Sequence, residues 1–390
     1  MYDVIIAGAG PAGSTCARKC AQQGLKTLLL DKDVFPRSKP CGGAVSGQSL
    51  SLLDFSLPGN IIEKECFGAR VHYGGRNIEA KRPYRIAVLV KRYRFDAFLA
   101  EKAVESNARF LPGEKVIAVQ TLRDGVTVVS EKTSYQTRFL IGADGIHSRV
   151  AHAIRQPFGR HEMMLGLVSH VPADDEVIDR HQNRTVDMHF GIAPQGYRWL
   201  FPNGGYYSLG IMGLASMMQE PKKVMSDFAH SLGMELSAVQ GHSIPMGGLK
   251  RKIASGRILL VGDAAGFADP FHGEGIAHAI LSGKLAAQAI IDDIKGNSGP
   301  ASAAVRYCRE SERLIRKNLL VSLRMAKLID RYPGLFLRIF FDHPKALEHY
   351  IDIVGGRTDY RHFQQWLLPR IPWYLLSSCF LKTTKRRKAS

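Results

Sequence analysis

The chain has 390 residues, enough for two or three domains around a large core. Its 45% apolar and 23% charged residues are those of a water-soluble globular protein, and no apolar run reaches the roughly 18 residues a bilayer-spanning helix needs. The formal net charge of +18 points to anionic partners: a membrane surface, phosphorylated substrates or, with no zinc knuckle or other nucleic-acid motif to support it, nucleic acid.

In chain order, the first element is a short apolar strand, Asp3 to Ala7, followed by Gly8-Ala9-Gly10-Pro11-Ala12-Gly13 and a helix through Ala21. Three glycines at this spacing serve a tight turn, the approach of backbone to a pyrophosphate, and helix–strand packing. A second strand, Thr27 to Leu30, ends at Asp31, eighteen residues past Gly13, where an acid reaches a ribose hydroxyl. Cys16 and Cys20 are one helical turn apart and are expected in the core. The six cysteines form no C-x-x-C pair and no metal-ligand spacing, so no metal is expected, and reduced thiols in the cytoplasm fit best. No positive n-region precedes the first strand, so no secretory leader is expected.

Further along, Lys39-Pro40-Cys41-Gly42-Gly43 is a compact turn, and Arg92 opens an amphipathic segment. Leu140-Ile141-Gly142-Ala143-Asp144-Gly145 is another strand running into glycines. Short strands at Val71–Tyr73, Ile86–Val90, Val186–Phe190 and Tyr206–Met212 are expected to build a second sheet. In Pro194-Gln195-Gly196-Tyr197-Arg198-Trp199-Leu200-Phe201-Pro202, three aromatics two residues apart share one face of a strand, fit for a core or for one wall of an apolar pocket.

The strand Ile258–Val261 then runs into Gly262-Asp263, and Gly273 and Gly275 precede a helix from Ile276. A carboxylate at a strand end accepts two hydroxyls at once. A glycine-rich helix start favours a ring that becomes anionic. From about residue 300 the pattern is helical, with Pro333 and Pro344 as breaks. The C-terminus pairs an apolar, aromatic stretch, Trp366 to Leu376, with Lys382, Lys385, Arg386, Arg387 and Lys388. Aromatic residues favour the interface, and each basic residue near an anionic leaflet adds roughly 1 kcal/mol, so peripheral attachment to the cytoplasmic face of a membrane is expected.

The three glycine-rich segments together resemble the FAD-dependent oxidoreductases of the aromatic-hydroxylase type over roughly residues 1 to 285. The P-x-x-Y-x-W-x-F-P pattern and the Cys-Gly-Gly turn narrow this: the chain resembles the geranylgeranyl reductase family. The resemblance implies an α/β fold. A Rossmann-like FAD-binding domain is discontinuous over residues 1–60, 90–155 and 250–295. An antiparallel-sheet substrate domain takes 61–89 and 156–249, and a helical region takes 296–390. It implies FAD contacts from Gly8, Gly10, Ala12, Gly13, Asp31, Cys41, Gly42, Gly43, Arg92, Val116, Asp144, Gly145, Gly262, Asp263, Gly273, Gly275 and Ile276. Tyr197, Trp199 and Phe201 would line the substrate pocket.

The implied reaction is saturation of isolated carbon–carbon double bonds in a polyprenyl chain carried by a diphosphate, a lipid, a chlorophyll precursor or a quinone. Cys41 and Tyr206 are the candidate catalytic groups, with Tyr197 and a water as other proton donors. His272 lies near enough to line the site. No second Gly-x-Gly-x-x-Gly unit for a nicotinamide is present, so NADPH, reduced ferredoxin as a partner protein, and a membrane quinol route all remain as electron donors. No feature sets an oligomeric state. Two other readings use the same scaffold: an FAD-dependent monooxygenase acting on an apolar substrate, and a non-catalytic prenyl-binding protein. The retained Gly8, Gly10, Gly13, Asp31 and Asp263 weigh against the second.

Overall fold

A computed structural model describes residues 1–296 and 302–374. The basic residues from Lys382 to Lys388, with Leu375, Leu376 and Cys379, lie outside the described residues.

The first layer is an eight-stranded sheet. Its backbone path runs Ala254–Ser255, Ile258–Leu260, Ser134–Gly142, Tyr2–Ala7, Thr27–Asp31, Arg109–Pro112. The strands from Ile258–Leu260 to Arg109–Pro112 are mutually parallel. Val4, Ile5, Ile6, Leu28, Leu29 and Leu30 are fully buried. Such unbroken apolar runs are what a parallel strand covered on both faces requires. The helices Pro11–Gln22 and Ile276–Ile294 pack so closely that a side chain at Gly283 would collide with the Ala12 carbonyl. Cys16 and Cys20 face this core, fully buried.

The second layer is a seven-stranded sheet, in the order Gln240–Pro245, Met163–Pro172, Tyr206–Leu214, Tyr197–Asn203, Thr185–His189, Gly68–Tyr73, Arg76–Lys81. Its pairings are antiparallel except for the parallel contact of Thr185–His189 with Gly68–Tyr73. Alternation divides its faces. Tyr197, Trp199 and Phe201 join one buried cluster; Leu200, Leu209 and Ile211 join another with Ile178 and Phe228 of the helices Asp175–Gln182 and Pro221–Ser231.

Ile86–Val90, expected in this second sheet, belongs elsewhere. Ala87–Val90 is the middle strand of a separate three-stranded sheet, between Ala44–Ser46 and Ile62–Cys66. All four of its residues are buried, so an apolar run said nothing of which sheet would take it. This small sheet fixes the Cys41–Gly43 turn: the Val90 N–H donates to the Gly43 carbonyl at 2.9 Å. Gly43 has φ +83°, and a Cβ there would sit 2.6 Å from the Val90 carbonyl oxygen.

The third layer is helical. Ala303–Ser311 and Lys317–Arg331 are joined by a π-helical turn, Glu312–Arg316. Pro333 and Pro344 each take the first turn of a new helix, where a missing N–H costs nothing. Arg82 ties this layer to the second with a fork onto Asp352 (2.8 and 2.7 Å) and a bond to Glu348 (3.1 Å). The Tyr84 hydroxyl also donates to Asp352. Both forked partners are mostly buried, so Asp352→Ala should cost about 1–3 kcal/mol. Urea unfolding should show a lowered midpoint for this variant. Glu131→Ala, which breaks a solvent-exposed pair with Lys115, should leave the midpoint unchanged.

Candidate functional site

The N-terminal turn is built by crowding. Gly8 has φ +102°, and a Cβ on it would collide with the Ala143 backbone; a Cβ on Gly13 would collide with the Gly8 carbonyl. Gly10 caps the helix Pro11–Gln22, with Pro11 in the first turn and no side-chain cap, so the positive end of the helix faces outward. Ala12 packs under this helix start, where a Cβ on Gly262 would come within 3.2 Å of it. Asp31 accepts the Ala9 N–H at 2.7 Å and the Asp33 N–H at 2.9 Å, one on each oxygen. Burial raises its pKa, and those amides oppose the rise. Each oxygen keeps a further lone pair for a hydroxyl. The Glu114 N–H donates to the Asp31 carbonyl at 2.7 Å, which brings the segment leading into Val116 alongside.

Sequence reasoning missed Arg37. Its guanidinium reaches within 3.6 Å of where a Gly10 Cβ would be, and it pairs with Asp96 at 3.1 Å. Asp96 also takes a fork from Arg92, 2.9 Å on each oxygen. The Arg92 guanidinium lies beside the Cys41 sulfur, and the Asp96 carboxylate holds it charged despite burial. One signal for Arg37 was available: a cation between the glycine turn and the Cys-Gly-Gly turn.

The Asp144 carboxylate is engaged by its own chain. Its oxygens accept from the Ser148 hydroxyl and from the Arg149 (2.7 Å) and Val150 (3.2 Å) N–H groups, capping the helix Arg149–His152. What remains toward the glycine turn is the Ala143–Asp144 backbone against Gly8, with Gly145 at φ +79°. Gly262, at φ +56°, starts the turn that carries Asp263. Asp263 lies between Gly275, where a Cβ would be 3.4 Å from its Oδ1, and Lys39, whose Nζ is 3.9 Å from its Oδ2. Lys39 donates to His242 Nε2 at 2.9 Å. Burial lowers the pKa of both, His242 to about 4, so this imidazole is a neutral acceptor.

The Cys41–Gly43 turn meets the aromatic strand directly. A Cβ on Gly42 would lie 3.1 Å from the Phe201 ring and 3.3 Å from the Trp199 indole nitrogen. Gly210 makes room for that indole, since any side chain there would collide with it. The Tyr197, Trp199 and Phe201 rings follow one another at centroid distances of 6.1 and 6.0 Å. At the Tyr197 end, its hydroxyl donates to the His272 carbonyl at 2.7 Å. A Cβ on Gly273 would come 2.7 Å from the Met212 sulfur. Tyr206 lies at the other end of its strand, against His170 and beneath the Lys91 ammonium. Burial pushes its pKa up to about 12, which makes it a reluctant acid.

Behind Gly273 lies a charge cluster that sequence reasoning did not find. The His272 ring contacts Asp269 Oδ1 (3.3 Å), Glu274 Oε2 (3.2 Å) and the Tyr360 hydroxyl (2.7 Å). Asp269 also accepts from the Phe271 N–H (2.8 Å) and the Ser322 hydroxyl (2.7 Å). Glu274 accepts from Ser46 and Ser49. Burial alone would push the His272 pKa down; Asp269 and Glu274 override it and raise it to about 10, while both carboxylates fall below their usual range despite burial. His272 therefore braces the loop from behind, and its carbonyl, not its ring, meets Tyr197.

Residues 1–196 match the FAD binding domain family. The chain is 30% identical over 355 residues to the digeranylgeranylglycerophospholipid reductase of Thermoplasma acidophilum, covering 82% of this chain and 85% of that protein. The chain belongs to the geranylgeranyl reductase family of FAD-dependent oxidoreductases. It is also 31% identical to a geranylgeranyl diphosphate reductase of Rhodobacter capsulatus, over 75% of this chain and 76% of that one. In fold it is similar to a geranylgeranyl bacteriochlorophyll reductase-like protein of T. acidophilum, with a TM-score of 0.77 over 96% of this chain and 98% of that one at 24% identity. The residues of this reductase-family chain fit FAD. The crowded glycines leave a bare backbone cradle, an uncapped helix start and Arg37 face it, and Asp31 and Asp263 keep acceptors for hydroxyls.

The His272 charge gives a pH prediction with a fixed sign. Its folded pKa lies above the ordinary 6.5, so its contribution to stability is complete below that value and is lost as pH rises toward about 10. Thermal unfolding between pH 6 and 10 should show a decline that His272→Gln largely removes. Identical pH slopes in the two proteins would refute the assignment.

Proposed function

We propose that this flavoprotein saturates isolated double bonds of a polyprenyl chain, geranylgeranyl in type, carried by a lipid, a diphosphate, a chlorophyll precursor or a quinone. The packing of Gly42 against Trp199 and Phe201 carries the reading. It sets the turn bearing Cys41 directly against a continuous aromatic wall, so a flat apolar chain lying along that wall passes the Cys41 thiol. The relatives named as geranylgeranyl reductases support the same substrate class.

FAD, held by the glycine cradle, Asp31 and Asp263, would supply the hydride. An unactivated trisubstituted alkene has no carbonyl to accept electrons, so addition also needs an acid at the less substituted carbon and a site from which water is excluded. In this reading Tyr197, Trp199 and Phe201 hold the chain and keep water out, and Cys41 delivers the proton. Arg37 and Arg92 share the one buried carboxylate Asp96, and the positive excess of that trio favours a ring that gains negative charge. Tyr197 is the weaker donor: burial raises its pKa well above the usual phenol value, and its hydroxyl is already committed to His272.

The electron donor is NADPH or reduced ferredoxin. In the same reading the protein attaches to the cytoplasmic face of an anionic membrane. No helix among the described residues is long and apolar enough to cross one. The net charge of +18 and the exposure of Trp373 (68%) and Leu368 (53%) beside Arg370 support surface attachment.

The test is an anaerobic turnover with dithionite as reductant, offering geranylgeranyl diphosphate and a geranylgeranyl ether phospholipid. Mass spectrometry should find products gaining two hydrogens per bond reduced and no oxygen. Turnover only in air, with oxygen incorporated, would establish the monooxygenase reading instead. Under the same conditions Cys41→Ser should slow chain reduction at least tenfold while flavin reduction by dithionite keeps its rate. Equal chain reduction would remove Cys41 from the chemistry.

A further inference from the structure

The helix Lys317–Arg331 has two unlike sides. Leu319, Val321, Ser322, Leu323, Ala326 and Ile329 are buried. Val321, Ala326 and Ile329 join the cluster that holds Tyr197, Trp199 and Phe201. The Ser322 hydroxyl donates to Asp269 at 2.7 Å, and Asp330 accepts the Gln195 N–H at 2.8 Å. The opposite side carries Lys317, Leu320, Arg324, Lys327, Leu328 and Arg331, all exposed. Their steps of three and four residues put them on one face. Tyr332 and Leu335, exposed at the joint to the helix Pro333–Asp342, follow them.

We propose that this face is the docking surface for an anionic phospholipid bilayer. The proposal rests on the membrane-attachment reading above and names the surface that makes the contact. None of the four cations on the face has an ion-pair partner among the described residues. The turn just before it is neutralised: Glu310 holds Arg313 at 2.8 Å and Glu312 holds Arg316 at 3.6 Å. From Lys317 to Leu335 the one carboxylate is Asp330, and it is turned onto Gln195. Single exposed leucines are ordinary on any protein surface. Here Leu320 (37%), Leu328 (41%), Tyr332 (51%) and Leu335 (42%) recur among unpaired cations.

A lipid leaflet offers phosphates above an apolar layer, and each kind of side chain on this face finds its match there. Leucine tips and the phenol ring enter between the head groups. The Lys and Arg stems lie along the apolar boundary and carry their charges out to phosphate. Other partners use only half of the pattern. A second copy docked face to face would set cation against cation. A nucleic-acid backbone would take the charges and leave the leucines in water. The placement also suits a lipid substrate. Because the inner side of the helix is part of the aromatic cluster, a bilayer on the outer side lies one helix diameter, about 10 Å, from that cluster. A polyprenyl tail then has a short path from leaflet to wall.

The test sediments the flavin-loaded full chain with phosphatidylcholine vesicles made with and without phosphatidylserine. The wild-type chain should bind the phosphatidylserine vesicles far more tightly, and added salt should weaken that binding. Arg324→Gln/Lys327→Gln should weaken it roughly thirtyfold while flavin content and far-UV circular dichroism are kept. Leu320→Ser/Leu328→Ser, which keeps the charges, should weaken it as well. Absence of vesicle binding by the wild-type chain overturns this proposal together with the membrane reading. Wild-type binding that both double variants retain overturns this face alone and leaves attachment elsewhere on the chain. A dimer, or a complex with an acidic ferredoxin, that Arg324→Gln/Lys327→Gln abolishes while vesicle binding is kept assigns the face to a protein and also overturns the proposal.

Discussion

One buried positive charge holds the parts of this molecule together. His272 sits between Asp269 and Glu274, and each member of the trio reaches a different layer. Asp269 takes the Ser322 hydroxyl and His272 meets Tyr360, both from the helical layer. Glu274 holds Ser46 and Ser49 beside the three-stranded sheet. The His272 carbonyl receives Tyr197 from the seven-stranded sheet. Taking three ionisable groups out of water is costly, and their mutual attraction and complementary hydrogen bonds offset that cost only in this one arrangement. The glycine loop between Asp269 and Gly275 thus has a fixed place relative to all of its neighbours.

The division of labour between sheet faces follows from the same economy of contacts. On one side of Tyr197–Asn203 lie the rings of Tyr197, Trp199 and Phe201, and on the other Arg198 and Leu200 face the apolar cluster of Ile178, Leu209, Ile211 and Phe228 under the helices. A strand that alternates this strictly cannot slip by one residue without burying charge against the aromatic wall. The position of Trp199 beside Gly42 is therefore enforced from both faces.

What the sequence made legible was local. Gly8 to Gly13 and Asp31 are read within one βα turn, and the aromatic triplet within one strand. The period of each motif is set by backbone geometry that neighbours in the chain already share. What it hid was assembled from afar. Arg37 and Asp96, Lys39 and His242, and His272 and Tyr360 are partners only after the sheets close. The Asp144 carboxylate turns onto the next helix while its backbone faces Gly8, an orientation that spacing in the chain does not carry. The strand Ala87–Val90 was recognisable as a strand, yet an apolar run carries no label for the sheet it joins.

The pinning of the glycine loop by Ser322 and Tyr360 has a consequence for biosynthesis. The first cradle element is translated at residue 8, but the loop that closes the far side is anchored by Ser322 and Tyr360, which are translated much later. A nascent polypeptide on the ribosome can form the early strand–turn–helix unit alone. The nest for the ring closes only once Tyr360 has been added, so capture of the cofactor waits on segments far apart in the sequence.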